Sequence, residues 1–247
     1  MPRTTAGTRQ AAGDRQAVRN FGTCLRFAGG AATNNVQFAD SNSLDLTATL
    51  TLIAWVNPKS FGTSNAGRII AKNNSGGTVG YDLLWDGANK APRFIGNSTI
   101  YASSVANSIP AFNRWYQVVV TFDKDAGSNE IKFYVNGVPA GTNTRSTVIN
   151  SNSDTLVIGN NHASTLNRCF DGRIDEVKAF NRALSATEVA KDFYGVPYDP
   201  TGLVLEARFD EESGTSAIDS SGNQANGTIT GATYSGEVFM VPRTSAT

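Results

Sequence analysis

Charge is scarce in this sequence and balanced. Only 17% of the 247 residues are Asp, Glu, Lys or Arg, and 21 basic residues are cancelled by 21 acidic ones. A protein that neutralises a phosphate backbone shows a basic excess, so nucleic acid is not expected as a partner of the main domain. Nowhere does the chain carry the roughly 18 consecutive apolar residues of a membrane helix, so no membrane span is predicted. The first residues also lack the apolar stretch of a classical secretory signal. Cysteine is rare: Cys24 and Cys169 are the only two. Both fall in strand-like segments and are predicted to be buried thiols rather than a bridge. CxxC pairs, zinc spacings and haem-attachment motifs are missing. The single histidine, His162, reads as a solvated side chain in a polar loop, with too few partners for a triad or a histidine metal site. No GxSxG turn occurs, and Gly76-Gly77 lacks the helix and lysine of a phosphate-binding loop.

What is present is enough apolar material for a core, 40% of residues, at a length that fits one large β-sandwich or one domain with extensions. From Phe21 the chain reads as short strands separated by turn clusters such as Gly29-Gly30, Asn34-Asn35 and Gly127-Ser128-Asn129. Regular alternation of this kind marks a sandwich or jelly roll. Tyr116, Val118, Val120 and Phe122 share one strand face; Trp115, Gln117, Val119 and Thr121 share the other. Ile131, Phe133 and Val135 then line one face of the next strand, and Asn136-Gly137 supplies the positive φ angles of a type I′ reversal. After Ile174 the alternation changes phase, and an extra residue near Asp175 would restore the apolar face, as a β-bulge does. Ser185 and Glu188 form a capping-box pattern, with Leu184 and Val189 spaced as a hydrophobic staple. This predicts one short helix near residues 185–194, ended by Gly195 and Pro197.

Three stretches carry a family resemblance. Phe170-Asp171-Gly172-Arg173-Ile174-Asp175-Glu176-Val177, running on through Phe180 to Ser185, resembles the closing strand of LamG-like jelly rolls of the concanavalin A-like lectin and glucanase superfamily. Trp115 to Asp123 followed by Ile131 to Gly137 is similar to that family's central hairpin. Leu50 to Val56, with Cys24-Leu25-Arg26-Phe27 upstream, resembles its "aWV" strand and the strand before it. The resemblance covers roughly residues 21–195 and implies an all-β, two-sheet antiparallel jelly-roll sandwich. Its fold serves enzymes, lectins, adhesins and virion parts alike.

The predicted organisation has three parts. Residues 1–20 carry Arg3, Arg9, Arg15 and Arg19 against Asp14 alone and too few apolar residues for a core, so they read as a flexible basic arm or an assembly arm ordered by a neighbour. Residues 21–195 form the LamG-like jelly roll. Residues 196–247 carry segments, Gly202 to Glu211 and Asn226 to Ala232, that resemble the family's opening strands, displaced to the C-terminus. Such strands need partners and complete either their own sandwich or a neighbouring one by strand donation.

Glycan hydrolysis with retention needs two carboxyls about 5 Å apart. The acidic clusters Asp171/Asp175/Glu176 and Glu206/Asp210/Glu211/Glu212 lack the E-x-D-x-x-E spacing that the resemblance would require of an enzyme, so none is expected. For sugar binding the best candidates are Tyr81 and Trp85, on one strand face as an aromatic platform, with Asp82, Arg93 and Tyr101 as neighbours. For calcium, the only cofactor considered, Asp219, Asn223 and Asn226 offer carboxylate and amide oxygens, although the same residues also make ordinary turns. The leading expectation is a non-enzymatic surface binding or assembly module: a virion or extracellular structural protein serving decoration, fibre or adhesion. Its partners would be copies of itself, a virion or cell-surface protein, or glycans. The alternatives are a soluble, calcium-assisted carbohydrate-binding lectin and, behind it, a divergent glycanase.

Overall fold

The computed structural model describes residues 19–20, 22–30, 33–102, 105–236 and 240–241; residues 1–18 of the basic arm lie outside them. The strands are β1 (Arg19–Asn20), β2 (Thr23–Phe27), β3 (Asn35–Phe38), β4 (Thr49–Pro58), β5 (Arg68–Asn73), β6 (Gly80–Asp86), β7 (Ala91–Gly96), β8 (Thr99–Ala102), β9 (Tyr116–Asp123), β10 (Ile131–Val135), β11 (Val138–Asn143), β12 (Leu156–Ile158) and β13 (Gly172–Phe180). After helix α1 (Ala186–Tyr194) come β14 (Leu203–Ala207), β15 (Ser216–Ala217), β16 (Gly227–Thr230), β17 (Thr233–Gly236) and β18 (Met240–Val241). No described helix is long and apolar enough to cross a membrane.

Two eight-stranded antiparallel sheets face each other. One runs β11-β10-β9-β4-β13-β2-β17, with β14 also paired to β13; the other runs β15-β16-β3-β12-β5-β6-β7-β8. Along one edge of β13, β2 takes Gly172–Ile174 and β14 takes Val177–Phe180. The strands of residues 203–236 therefore sit in both sheets of this chain: β14 on β13, β16 on β3 and β17 on β2.

The core between the sheets is built from the alternation read in the sequence. Tyr116, Val118, Val120, Phe122, Ile131 and Phe133 point inward with Leu52, Val56, Phe94 and Phe170. Asn136 and Gly137 have φ of 52° and 73° and join β10 to β11 with Val135 opposite Val138, the geometry that matches the twist of a two-residue hairpin. The bulge in β13 falls between Asp175 and Lys178 in its pairing with β4, at Glu176, whose φ is 48°.

Helix α1 lies on the outer face of the β4/β13 sheet. Ser185 accepts from the Glu188 N–H while Glu188 reaches back to the Ser185 N–H, closing the capping box. Gly195 at φ 65° ends the helix, and the Val196 N–H returns to the Lys191 carbonyl, a Schellman closure. Below the helix, Leu184 and Val189 pack with Ile53, Val119, Tyr134 and Phe180. Trp55 stacks on Phe193 at 5.4 Å between ring centres. Cys24 and Cys169 are buried thiols, not a disulfide; burial and the neighbouring Asp171 push Cys169 up to about 11.

Candidate functional site

An open cleft of about 340 Å³ lies beside helix α1, lined by residues that include Lys178, Asp192, Val196, Tyr198, Glu206 and Arg208. Its size is at the lower end of the range for small-molecule sites. Its floor is assembled from three elements. Lys178 projects outward from β13 directly opposite Glu206 on β14, an opposite-charge cross-strand pair. Asp192, on the buried stripe of α1 with Val189, is brought down onto Lys178, with Nζ 2.5 Å from Oδ1. Gly195 then turns the chain so that the Tyr198 hydroxyl donates to the same oxygen at 2.9 Å.

The other Asp192 oxygen accepts from Gln117 Nε2 at 2.7 Å. Lys178 Nζ lies 3.8 Å from Glu206 Oε1, and Arg208 Nη2 lies 2.9 Å from Glu206 Oε2. The Arg208 side chain is half in solvent, at 51% exposure. Arg182 pins the cleft's outer loop by donating to the Thr201 and Asp199 carbonyls while pairing with Glu188. Its guanidinium is the main cause holding Glu188 down at about 2, with the capping bonds from Ser185 adding to it against partial burial. The cleft thus offers hydrogen-bond donors and acceptors on a charged floor, under an apolar rim of Val196, Pro197, Pro200 and Leu203.

The predicted sugar platform is divided between the two faces of its sheet. Tyr81 and Trp85 do share a face, as read, but it is the core face: they are 2% and 1% exposed. Tyr81 donates to the Leu44 carbonyl at 3.0 Å, and burial, aided by Asp45, Asp40 and Asp82, pushes its phenol up. Trp85 stacks against Phe61. A buried ring cannot cover a sugar, so these two residues are core, because period-2 alternation defines two faces without saying which is inside. Tyr101 pairs with Phe94 and sits on that inner side, its hydroxyl accepting from Arg145 Nη1 at 2.8 Å. Asp82 and Arg93 face the other way. Asp82 pairs with Arg68 at 2.9 Å and accepts from Asn73; burial raises its carboxyl, opposed by Arg68. Arg93 pairs with Asp86 at 2.6 Å. The five residues therefore form no common site.

In the proposed calcium loop, both Asp219 oxygens are occupied by donors from the Glu206, Ser221, Asn223 and Gln224 backbones and the Ser221 hydroxyl. Asn226 accepts from the Asp219 N–H, and Asn223 Nδ2 donates to the Leu203 carbonyl. A carboxylate surrounded by N–H groups organises a turn; a cation would have to displace those donors. Among the described residues no group of three His, Cys, Asp or Glu could hold a metal. His162 is buried rather than solvated: Nε2 meets Asp154 at 2.8 Å, and Nδ1 accepts from the Ser164 N–H and meets its hydroxyl at 2.8 Å. The order Ser-His-Asp mimics a hydrolytic relay, but Nδ1 is shared with a backbone N–H and the cleft does not reach these residues. They brace the loop. Of the acidic clusters, Asp171 caps Gly29 and Ser60, and Glu211 accepts from Ile218 and Tyr234.

No motif in the sequence marks the cleft, and Glu206 stands there only as a member of an acidic cluster. The available signal was Asp192, a carboxylate three positions after Val189 on the helix's apolar stripe, which needed a cation beneath it.

The fold is thus a jelly-roll sandwich with an open polar cleft on its helix-covered face. A model of the concanavalin A-like lectin/glucanases superfamily matches residues 29–190, and the chain belongs to that superfamily. Among solved structures it is similar to a Bacteroides ovatus protein described as a candidate carbohydrate binding protein, at 20% identity and a TM-score of 0.68, over 90% of this chain and 62% of that one. It is also similar to the binding domain of Paraclostridial Mosquitocidal Protein 1, at 16% identity and a TM-score of 0.50 over 71% and 45%. Botulinum neurotoxin type C, which interacts with two ganglioside molecules, matches at 15% identity and a TM-score of 0.52 over 73% and 46%. At these identities the likeness is one of fold, and this chain spans less than two thirds of each. No curated protein matches its sequence.

Proposed function

We propose that this chain is a non-enzymatic carbohydrate-binding module, with the cleft beside α1 as its site. The observation that carries this is the cleft itself: a monosaccharide-sized opening in a member of the lectin and glucanase superfamily, with charged donors and acceptors below an apolar rim. The description of the Bacteroides ovatus protein supports the same reading. The arrangement of the cleft carboxylates supports binding over turnover. A glycosidase needs one protonated carboxyl and one free carboxylate flanking the scissile bond. Here Lys178 contacts both Asp192 and Glu206, and Arg208 engages Glu206 as well. A glycan-binding module acts where glycans are displayed, and we extend the proposal to an extracellular or particle-surface setting. The displaced strands that suggested an assembly role find partners within their own chain.

The test is an oligosaccharide array followed by calorimetry on the full chain. Arg208→Ala removes a half-exposed charge-assisted hydrogen bond and should weaken a bound glycan by about tenfold or more while the fold is kept. Binding that ignores both Arg208→Ala and Glu206→Gln would remove the cleft from the proposal. Release of reducing ends from a bound glycan would overturn the non-enzymatic reading.

A further inference from the structure

The two carboxylates on the floor of the α1 cleft are used unequally. Asp192 takes donors on both oxygens: Lys178 Nζ and the Tyr198 hydroxyl on Oδ1, and Gln117 Nε2 on Oδ2. Its part is to hold the lysine in place. Glu206 gives only Oε2 to Arg208, at 2.9 Å. Its Oε1 lies 3.8 Å from Lys178 Nζ, beyond the hydrogen-bond range of about 2.7–3.2 Å. An ammonium has three donors, and Asp192 takes one of them. Lys178 and Glu206 both line the cleft, and each side chain is a tenth or less exposed.

A donor and an acceptor therefore stand side by side without bonding each other. One hydroxyl over the pair satisfies both, accepting from Lys178 and donating to Glu206. The pair is fixed before any ligand arrives. Lys178 and Glu206 are cross-strand partners, and the Glu206 backbone is braced by the turn around Asp219: its N–H donates to Asp219 Oδ1 at 2.9 Å, and its carbonyl accepts from the Ser220 N–H at 2.8 Å. Such preorganisation lowers the cost of binding.

The charges of the lining are matched, with Lys178 and Arg208 against Asp192 and Glu206. Glu176 and Asp210 also act on the Arg208 guanidinium, so the surroundings add negative charge. A sugar carboxylate could take Arg208 only by displacing Glu206, and like charges brought together disfavour a partner. We infer that the cleft selects uncharged sugars over acidic ones, with one sugar hydroxyl seated between Lys178 Nζ and Glu206 Oε1. This rests on the carbohydrate-binding reading above and adds to it the class of sugar and the pair that reads it.

Hits on the oligosaccharide array are sorted into neutral and acidic glycans. The methyl glycosides of glucose and galactose are then titrated into the full chain beside those of glucuronate and galacturonate, which differ from them only by a C6 carboxylate. The neutral member of each pair should bind at least about tenfold more tightly. Glu206→Gln keeps the shape and an amide acceptor but removes the repelling charge, so it should narrow that ratio by about tenfold. A purely structural role for Glu206 would not move the ratio. The double variant Lys178→Met/Asp192→Leu removes the hydroxyl seat and should lose the neutral glycosides, with a cooperative melting curve showing that it folds. Acidic sugars binding as tightly as neutral ones, or a ratio unmoved by Glu206→Gln, overturn the inference and leave the carbohydrate reading standing. Neutral binding that survives in the double variant overturns the hydroxyl seat. An array without hits overturns the carbohydrate reading, and the inference falls with it.

Discussion

Replacing Asp192 by Ala tests the architecture of the cleft most directly. Asp192 is 3% exposed and Lys178 is 7% exposed. The substitution removes the acceptor for three donors at once: Lys178 Nζ at 2.5 Å, Gln117 Nε2 at 2.7 Å and the Tyr198 hydroxyl at 2.9 Å. The nearest remaining carboxylate, Glu206, is 3.8 Å from the lysine and is shared with Arg208. Breaking a buried pair by removing one partner strands the other charge and costs about 3–5 kcal/mol. For a domain of this size that lowers the melting temperature by roughly 6–20 °C.

Removing both charges is a different experiment. Lys178→Met with Asp192→Leu removes the pair together and leaves Glu206 to Arg208, and apolar replacements of similar volume are often neutral or better. The double variant should therefore be more stable than Asp192→Ala, although it loses the polar floor and with it any glycan bound there. Urea denaturation followed by tryptophan fluorescence suits the question, because Trp55 stacks on Phe193, the neighbour of Asp192, and reports helix docking. A loss below about 1 kcal/mol for Asp192→Ala would refute the reasoning, since an orphaned buried ammonium cannot be that cheap. So would a double variant less stable than the single.

Four further outcomes are expected. Glu188 has its folded value held near 2 against 4.5. The stability it contributes is complete above about pH 4.5 and is lost as pH falls through about 2. Glu188→Gln should therefore flatten the stability profile across that window, and an unchanged acid limb in acid titrations would contradict the assignment. Gly159→Ala places a Cβ on the Phe27 ring at a φ of 79° and should cost at least about 2 kcal/mol; chemical denaturation reads it, and a neutral result would mean that loop 159–170 shifts freely. Because amide donors surround Asp219, calcium and EDTA should give the same melting curve, and a rise with calcium would show that the loop trades those donors for the cation. Truncation after residue 195 removes the core residues Val204, Leu205, Phe209 and Ile229 and five strands, so it should abolish cooperative unfolding; a folded 1–195 fragment would mean that residues 196–247 are an appendage.

Much of the scaffold was legible because its rules are local. The alternation of Tyr116 to Phe122, the Asn136-Gly137 reversal and the Ser185/Glu188 capping box each depend on residues a few positions apart, and each takes the form that backbone geometry demands. The site was not legible, for two physical reasons. In β6 the pattern Tyr-Asp-Leu-Leu-Trp-Asp separates Tyr81 and Trp85 from Asp82 and Asp86 correctly but is silent on which set faces the other sheet; the aromatic rings went inside, where burial of their area stabilises most. The cleft joins residues far apart in the chain, Gln117, Lys178, Asp192, Tyr198 and Glu206, and no short motif encodes that meeting.

One residue sets the two faces of β13. In β13 strict alternation would send Lys178 inward with Ile174 and leave Val177 and Ala179 in solvent. The extra residue at Glu176 repairs this: Ile174, Val177 and Ala179 all enter the core. Arg173, Asp175, Lys178 and Phe180 in turn stand opposite Asn57, Trp55, Ile53 and Thr51 on the outer face. The bulge thus places Arg173 and the lysine of the cleft on one surface of one strand, on either side of the Trp55–Phe193 stack. Without Glu176, plain alternation would still put Ile174, Val177 and Ala179 on the core face and Lys178 on the outer one, so the side chains of β13 keep their faces because the bulge absorbs one residue. The bulge therefore decides which side chains of β13 meet the core and which meet helix α1.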